Sequence, residues 1–132
     1  MPPVTVDLIT RDPSGRYSLI LVEEGPWAPG TEQDQLRRLQ DRLYDYVDVA
    51  IDGHLAKLHP DAAGRPVKIQ LDGYDLPNEA VAPFIARFSE HIRTDPQFAT
   101  CIGAGRDVLE LTFEYNERTL RDSGTSIPEG DG

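Results

Sequence analysis

Val67-Lys68-Ile69-Gln70-Leu71-Asp72 alternates apolar and polar residues without a break. Successive side chains of a strand point to opposite faces, so this stretch reads as a strand with one dry and one wet face. Leu109-Glu110-Leu111-Thr112-Phe113-Glu114-Tyr115 repeats the pattern further along the chain. A sheet covered by helices on both faces needs strands that are apolar throughout. Two strands with a polar face therefore place every helix on the opposite side, which selects a two-layer arrangement.

Upstream, Val4, Val6 and Leu8 alternate with Thr5 and Asp7, predicting a strand over Val4 to Thr10. Asp12-Pro13-Ser14-Gly15 supplies turn residues, and a second strand runs from Arg16 to Glu24. With Arg11 facing Arg16 across the turn, Leu8 lies opposite Leu19 and Val6 opposite Leu21 on the dry face. This register leaves Ile9, Ile20 and Val22 on the wet face.

Gly25-Pro26-Trp27-Ala28-Pro29-Gly30 is a loop, because its prolines lack donors and its glycines loosen the backbone. Thr31 reads as an N-cap with Glu32 and Asp34 at the positive end of a helix. Leu36, Leu39, Leu43, Tyr46, Val47 and Ala50 then recur at three- and four-residue steps, with Asp41, Asp45, Asp48 and Asp52 on the opposite side. Gly53 ends this helix in a left-handed cap, or His54 to Leu58 adds a turn before Pro60. A second helix from about Asn78 carries Val81, Phe84, Ile85, Phe88 and Ile92 on one side, with Pro83 expected in its first turn. Thr94-Asp95-Pro96 terminates it or breaks it before a short segment holding Phe98, Cys101 and Ile102. Asn116 to Gly132 is poor in apolar residues and reads as a mobile acidic tail.

The expected fold is therefore an α+β two-layer sandwich in the order β-β-α-β-α-β, a four-stranded mixed sheet with two helices on one face. Right-handed crossovers favour strand order 1-2-3-4 with the first strand antiparallel at an edge; a ferredoxin-like order is the alternative. The domain spans 1–115 and the tail 116–132.

At 132 residues with 39% hydrophobic and 27% charged, the chain has the composition of one globular domain. Its net charge of -10 disfavours nucleic acid and anionic membrane surfaces. No apolar run approaches the ~20 residues of a membrane helix, and Met1 to Asp7 has no signal-peptide character. With the single Cys101 unable to close an intrachain disulfide, the expectation is a soluble cytoplasmic protein.

Trp27 before the first helix, Leu39-Gln40-Asp41 with Tyr46, Asp52-Gly53, Pro60-Asp61-Ala62 and Gly64 leading to Val67-Lys68-Ile69 together resemble a family of small bacterial proteins. That family is catalogued as a domain of unknown function, and the resemblance covers Val6 to Tyr115. His59 stands where the family has an aromatic before the proline. The resemblance implies a fold but no reaction, cofactor or catalytic residue.

The residues assign no metal, cofactor or catalytic group. Glu23, Glu24, Asp72 and Asp75 fall at the carboxyl ends of adjacent parallel strands, where oxygens suit Mg²⁺ or Ca²⁺, yet no spacing matches a dedicated loop. His54 and His59 would diverge by about 140° on a continuous helix, so sharing a metal with Asp61 needs a backbone break. The acidic stripe Asp41, Asp45, Asp48, Asp52 reads as a solvated helix face, or as a docking surface for a basic partner. A protein-interaction or accessory domain that binds protein, including itself through Ile9, Ile20 and Val22, is the leading expectation. A small metal-dependent hydrolase using the strand-end carboxylates is the alternative.

Overall fold

A computed structural model describes residues 8–106 and 108–118 of the chain. Strands β1 (Leu8–Arg11), β2 (Tyr17–Glu24), β3 (Arg65–Tyr74) and β4 (Val108–Arg118) form one sheet in the order β1-β2-β3-β4. The β1-β2 pair is antiparallel and the β2-β3 and β3-β4 pairs are parallel, so the sheet is mixed, as expected. The ferredoxin-like order is excluded. Helices α1 (Glu32–Ile51) and α2 (His54–Leu58) with a 3-10 turn at Pro60–Ala62 join β2 to β3, and α3 (Asn78–Thr94) with α4 (Pro96–Ala99) joins β3 to β4.

One core holds the layers together. Tyr17, Leu19 and Leu21 of β2 and Val67, Ile69 and Leu71 of β3 are buried with Leu39, Leu43, Tyr46 and Val47 of α1 and Val81, Ile85, Phe88 and Ile92 of α3. These are the periodic positions of the strand and helix patterns, and burial of each large side chain contributes about 1.5–3 kcal/mol. The opposite sheet face is polar: Lys68 bonds Glu114 at 3.0 Å, and Asp72 accepts from Gln70 at 2.9 Å and Asn116 at 3.1 Å.

The hairpin register differs by one residue from the expected one. Leu8 pairs with Ile20 and Ile9 with Leu19, so Ile9 packs against the core while Leu8 lies 53% exposed on the open face. The turn explains the slip. Asp12 N–H donates to the Arg16 carbonyl at 3.0 Å and Gly15, at φ 91°, donates to Asp12 at 2.9 Å. Asp12 and Arg16 thus close a three-residue loop with a left-handed glycine, where the expected pairing needed four loop residues. The proposed Val6–Leu21 pair lies outside the described residues.

Three smaller differences follow. Thr31 occupies the N-cap position of α1, but its hydroxyl donates backward to the Ala28 carbonyl at 2.6 Å and not into the helix. Pro83 lies beyond the first turn of α3 on an exposed position, where its missing N–H removes one helical bond that water can replace. β4 continues through Asn116, Glu117 and Arg118, so the strand takes three residues assigned to the tail; the rest of 116–132 is outside the described residues.

Candidate functional site

Alternation along β2 decides the fate of the strand-end carboxylates. Glu23 shares parity with Tyr17, Leu19 and Leu21, so it points into the helical layer and is 4% exposed. Arg38 and Arg42, one turn apart on α1, meet it there: Arg42 Nη1 lies 3.2 Å from Oε1, and Arg38 donates to both carboxylate oxygens. Arg42 Nη1 also reaches the Val22 carbonyl at 3.2 Å. Asp72 pairs with Val22 and so faces the other side of the sheet, in the Gln70–Asn116 network. Glu24 is exposed, and Asp75 sits in the β3-α3 loop at φ 60°. The four carboxylates therefore do not converge. Among the described residues no group of three or more His, Cys, Asp or Glu side chains is placed to hold a metal ion.

Asp61 and His59 come together around a tyrosine. Gly53 at φ 89° separates α1 from α2, and the backbone at His59 leads into the 3-10 turn. Tyr17 donates to Asp61 Oδ1 at 2.7 Å, the His59 ring stands 5.4 Å from the Tyr17 ring, and Arg11 Nε lies 3.6 Å from Asp61 Oδ2. The Tyr17 bond holds the Asp61 carboxyl below the usual carboxylate range, and the same bond raises the Tyr17 hydroxyl. This cluster ties the 3-10 turn to the start of β2. The side chain of His54 is outside the described set.

On α1, Asp41, Asp45, Asp48 and Asp52 are all exposed, as the helical spacing required. Partial burial, with the charges of Asp52 and Asp45, raises the Asp48 carboxyl above its ordinary value. On the open sheet face Ile20 is 9% exposed and Val22 half-buried, and Ile9 has left that face. Of the expected Ile9, Ile20 and Val22, only Val22 keeps partial exposure on this face, and Leu8, expected on the core side, stands beside Ile20 instead.

Two concave features were not legible in the sequence. One, of about 290 Å³, lies at the carboxyl ends of β2 and β3 between Pro26, Trp27, Pro29, Leu76 and Pro77. Trp27 Nε1 is buried there without a hydrogen-bond partner among the described residues. The other, of about 310 Å³, runs between α3, α4 and the β4 margin, lined by Ile92, Ile102, Leu109, Leu111 and Phe113 together with Arg93, Glu110 and Thr112. Phe113 stands edge-on to Phe88 at 5.6 Å, and Leu109 is 44% exposed. The β4 alternation and its marginal place in the order 1-2-3-4 were expected from the sequence, but the packing of α3 and α4 beside it was needed to reveal the groove.

Fold and surface together define an α+β domain with a four-stranded mixed sheet, whose conspicuous polar groups are engaged in pairing its own elements. Residues 3–101 match DUF6572, a family of unknown function, and the chain belongs to that family. The matched segment ends before β4. Comparison with curated proteins and with solved structures found no match. No described helix is long and apolar enough to cross a membrane.

Proposed function

We propose that this domain is a non-catalytic, cytoplasmic protein-interaction module that associates with itself. The observation that supports this reading is the apolar groove of about 310 Å³ beside β4, with Leu109 and Phe113 at its margin. Apolar surface gathered at a sheet edge is a feature of binding surfaces more than of reaction centres. A reaction centre needs convergent polar groups. Here Glu23 is committed to Arg38 and Arg42, and Asp61 to Tyr17 and Arg11. The net charge of -10 favours a protein partner over a polyanion, and makes self-association strengthen as salt screens the repulsion between copies.

The test is sedimentation equilibrium of the full chain over a wide concentration range at low and moderate salt. The expected result is a monomer–dimer equilibrium in the micromolar range that tightens with salt. A monomer at high micromolar concentration under both conditions refutes self-association.

A further inference from the structure

We infer that a second copy of this chain docks along the free edge of β4, strand to strand and antiparallel, with Phe113 of one copy opposite Phe113 of the other. The inference rests on the self-association proposed above and names its surface. Among the described residues β4 is the last strand of the sheet: β3 pairs along its length on one side, and on the other Ile102 bridges it only at Val108. A long margin of unpaired backbone groups is a template for another strand. Natural edges are blunted by shortness, proline, bulges or charge. Among the described strands β4 is the longest, contains no proline, has its register irregularity only at its first residues, and carries Glu110, Glu114 and Glu117, which restrict how a second strand can align. The apolar groove runs alongside this same edge, so an added strand gains side-chain contacts as well as backbone bonds.

Symmetry and charge select the register. Two copies of one strand in an antiparallel sheet are related by a two-fold axis normal to the sheet, so opposed residue numbers have a constant sum. The sheet faces match only when the axis passes through a residue, since a one-residue slip sets apolar side chains against polar ones. With the axis at Thr112, Glu110 opposes Glu114; with the axis at Glu114, that carboxylate opposes itself. Axes at Leu111, Phe113 and Tyr115 set no carboxylate against another, and of these the Phe113 axis pairs the longest stretch of the strand. Leu111 then lies opposite Tyr115, Thr112 opposite Glu114 and Glu110 opposite Asn116, so the paired stretch runs from Leu109 to Glu117; Val108 stays outside it, its carbonyl already accepting from Gly103 at 2.8 Å. Both helical layers lie on the same side, and Leu111, Phe113 and Tyr115 of each copy extend the apolar margin of the other.

Thr112 separates this arrangement from a general effect on folding. Within one copy its strand neighbour is Lys68, whereas across the proposed interface it meets Glu114. Thr112→Glu therefore places opposite charges together inside the monomer but like charges together, twice, between copies. Thr112→Lys does the reverse. Cross-strand charge pairs of this kind predict that Thr112→Glu weakens the dimer about tenfold and that Thr112→Lys tightens it several-fold.

Sedimentation equilibrium of wild type and both variants gives the dimer constants, and thermal melts below the dimer constant give monomer stability. A second readout uses spin labels at position 110 in a Cys101→Ser, Glu110→Cys chain; the two labelled Cα atoms are expected about 20 Å apart along the paired strands. A wild-type monomer refutes both the self-association and the β4 edge. A wild-type dimer whose constant ignores both Thr112 variants leaves self-association standing and overturns the β4 edge. Weakening by both variants, or a label distance far from that value, overturns the register.

Discussion

Removing the two arginines around Glu23 should destabilise the fold more than removing Glu23 itself. The carboxylate is 4% exposed, whereas the Arg38 and Arg42 side chains keep 47% and 31% of their surface in water. Loss of one partner from a fully buried ion pair costs about 3–5 kcal/mol, because the other charge is left desolvated and unpaired. The Arg38→Met, Arg42→Met variant strands the buried member, so a value near the lower limit, about 3 kcal/mol, applies. Methionine keeps much of the stem that covers the β2 end, so lost packing adds little. Glu23→Gln strands the two guanidinium groups, which turn toward solvent, while the amide oxygen still accepts one bond; the loss is about 1 kcal/mol. For a domain of this size these values correspond to falls of roughly 12 °C and 4 °C in thermal midpoint. Urea melts monitored by circular dichroism, at a fixed low concentration to suppress linkage to association, provide the comparison. If Glu23→Gln proves as damaging as the double arginine variant, or if the latter melts with wild type, the argument from asymmetric burial is wrong.

Gly25→Ala should lower stability by about 1–3 kcal/mol through overpacking. A Cβ there runs into the Asp75 carbonyl, and the Gly25 N–H bond to the Tyr74 carbonyl at 2.7 Å resists a backbone shift; a neutral melt would show that the β3-α3 loop yields freely. Tyr17→Phe should flatten the acid limb of the stability curve. Asp61 is depressed in the fold chiefly by the Tyr17 bond, so its stabilisation is present above the unfolded carboxylate value and is lost as pH falls through the folded one; an unchanged acid limb contradicts this. Asp48→Asn should raise the midpoint at neutral pH and lose that advantage in acid. The Asp48 value is raised in the fold, so its ionisation opposes folding once pH rises past the unfolded value, and a destabilised variant at pH near 7 would count against partial burial and the charges of Asp52 and Asp45 as the cause. Millimolar Mg²⁺ or Ca²⁺ should leave the midpoint unmoved, because Glu23 and Asp72 face opposite sides of the sheet. A site filled at a hundredfold excess over its dissociation constant adds about 2.7 kcal/mol, so a dose-dependent rise removed by Asp72→Asn would reveal a cation site.

Periodicity alone determined the order of the main elements, the buried stripe of α1 and the polar face of β3 and β4. Those features depend on side-chain direction within one segment, which φ and ψ fix locally at two residues per repeat in a strand and 3.6 per turn in a helix. The exposure of Asp41, Asp45, Asp48 and Asp52 followed for the same reason. Tertiary structure decided what depends on two segments meeting. The hairpin register turned on whether Asp12 closes the loop with Arg16, a choice between a three- and a four-residue turn that the residue types left open and that moved Ile9 to the core. Glu23 was read as a strand-end carboxylate, although its parity with Leu19 and Leu21 and the arginines one turn apart on α1 were in the sequence. Only the crossing of β2 under α1 shows that these charges neutralise each other. Likewise, the groove beside β4 exists because α3 packs Phe88 onto Phe113 but leaves Leu109 exposed beside Ile92 and Ile102, a meeting of three segments written in no single stretch of residues.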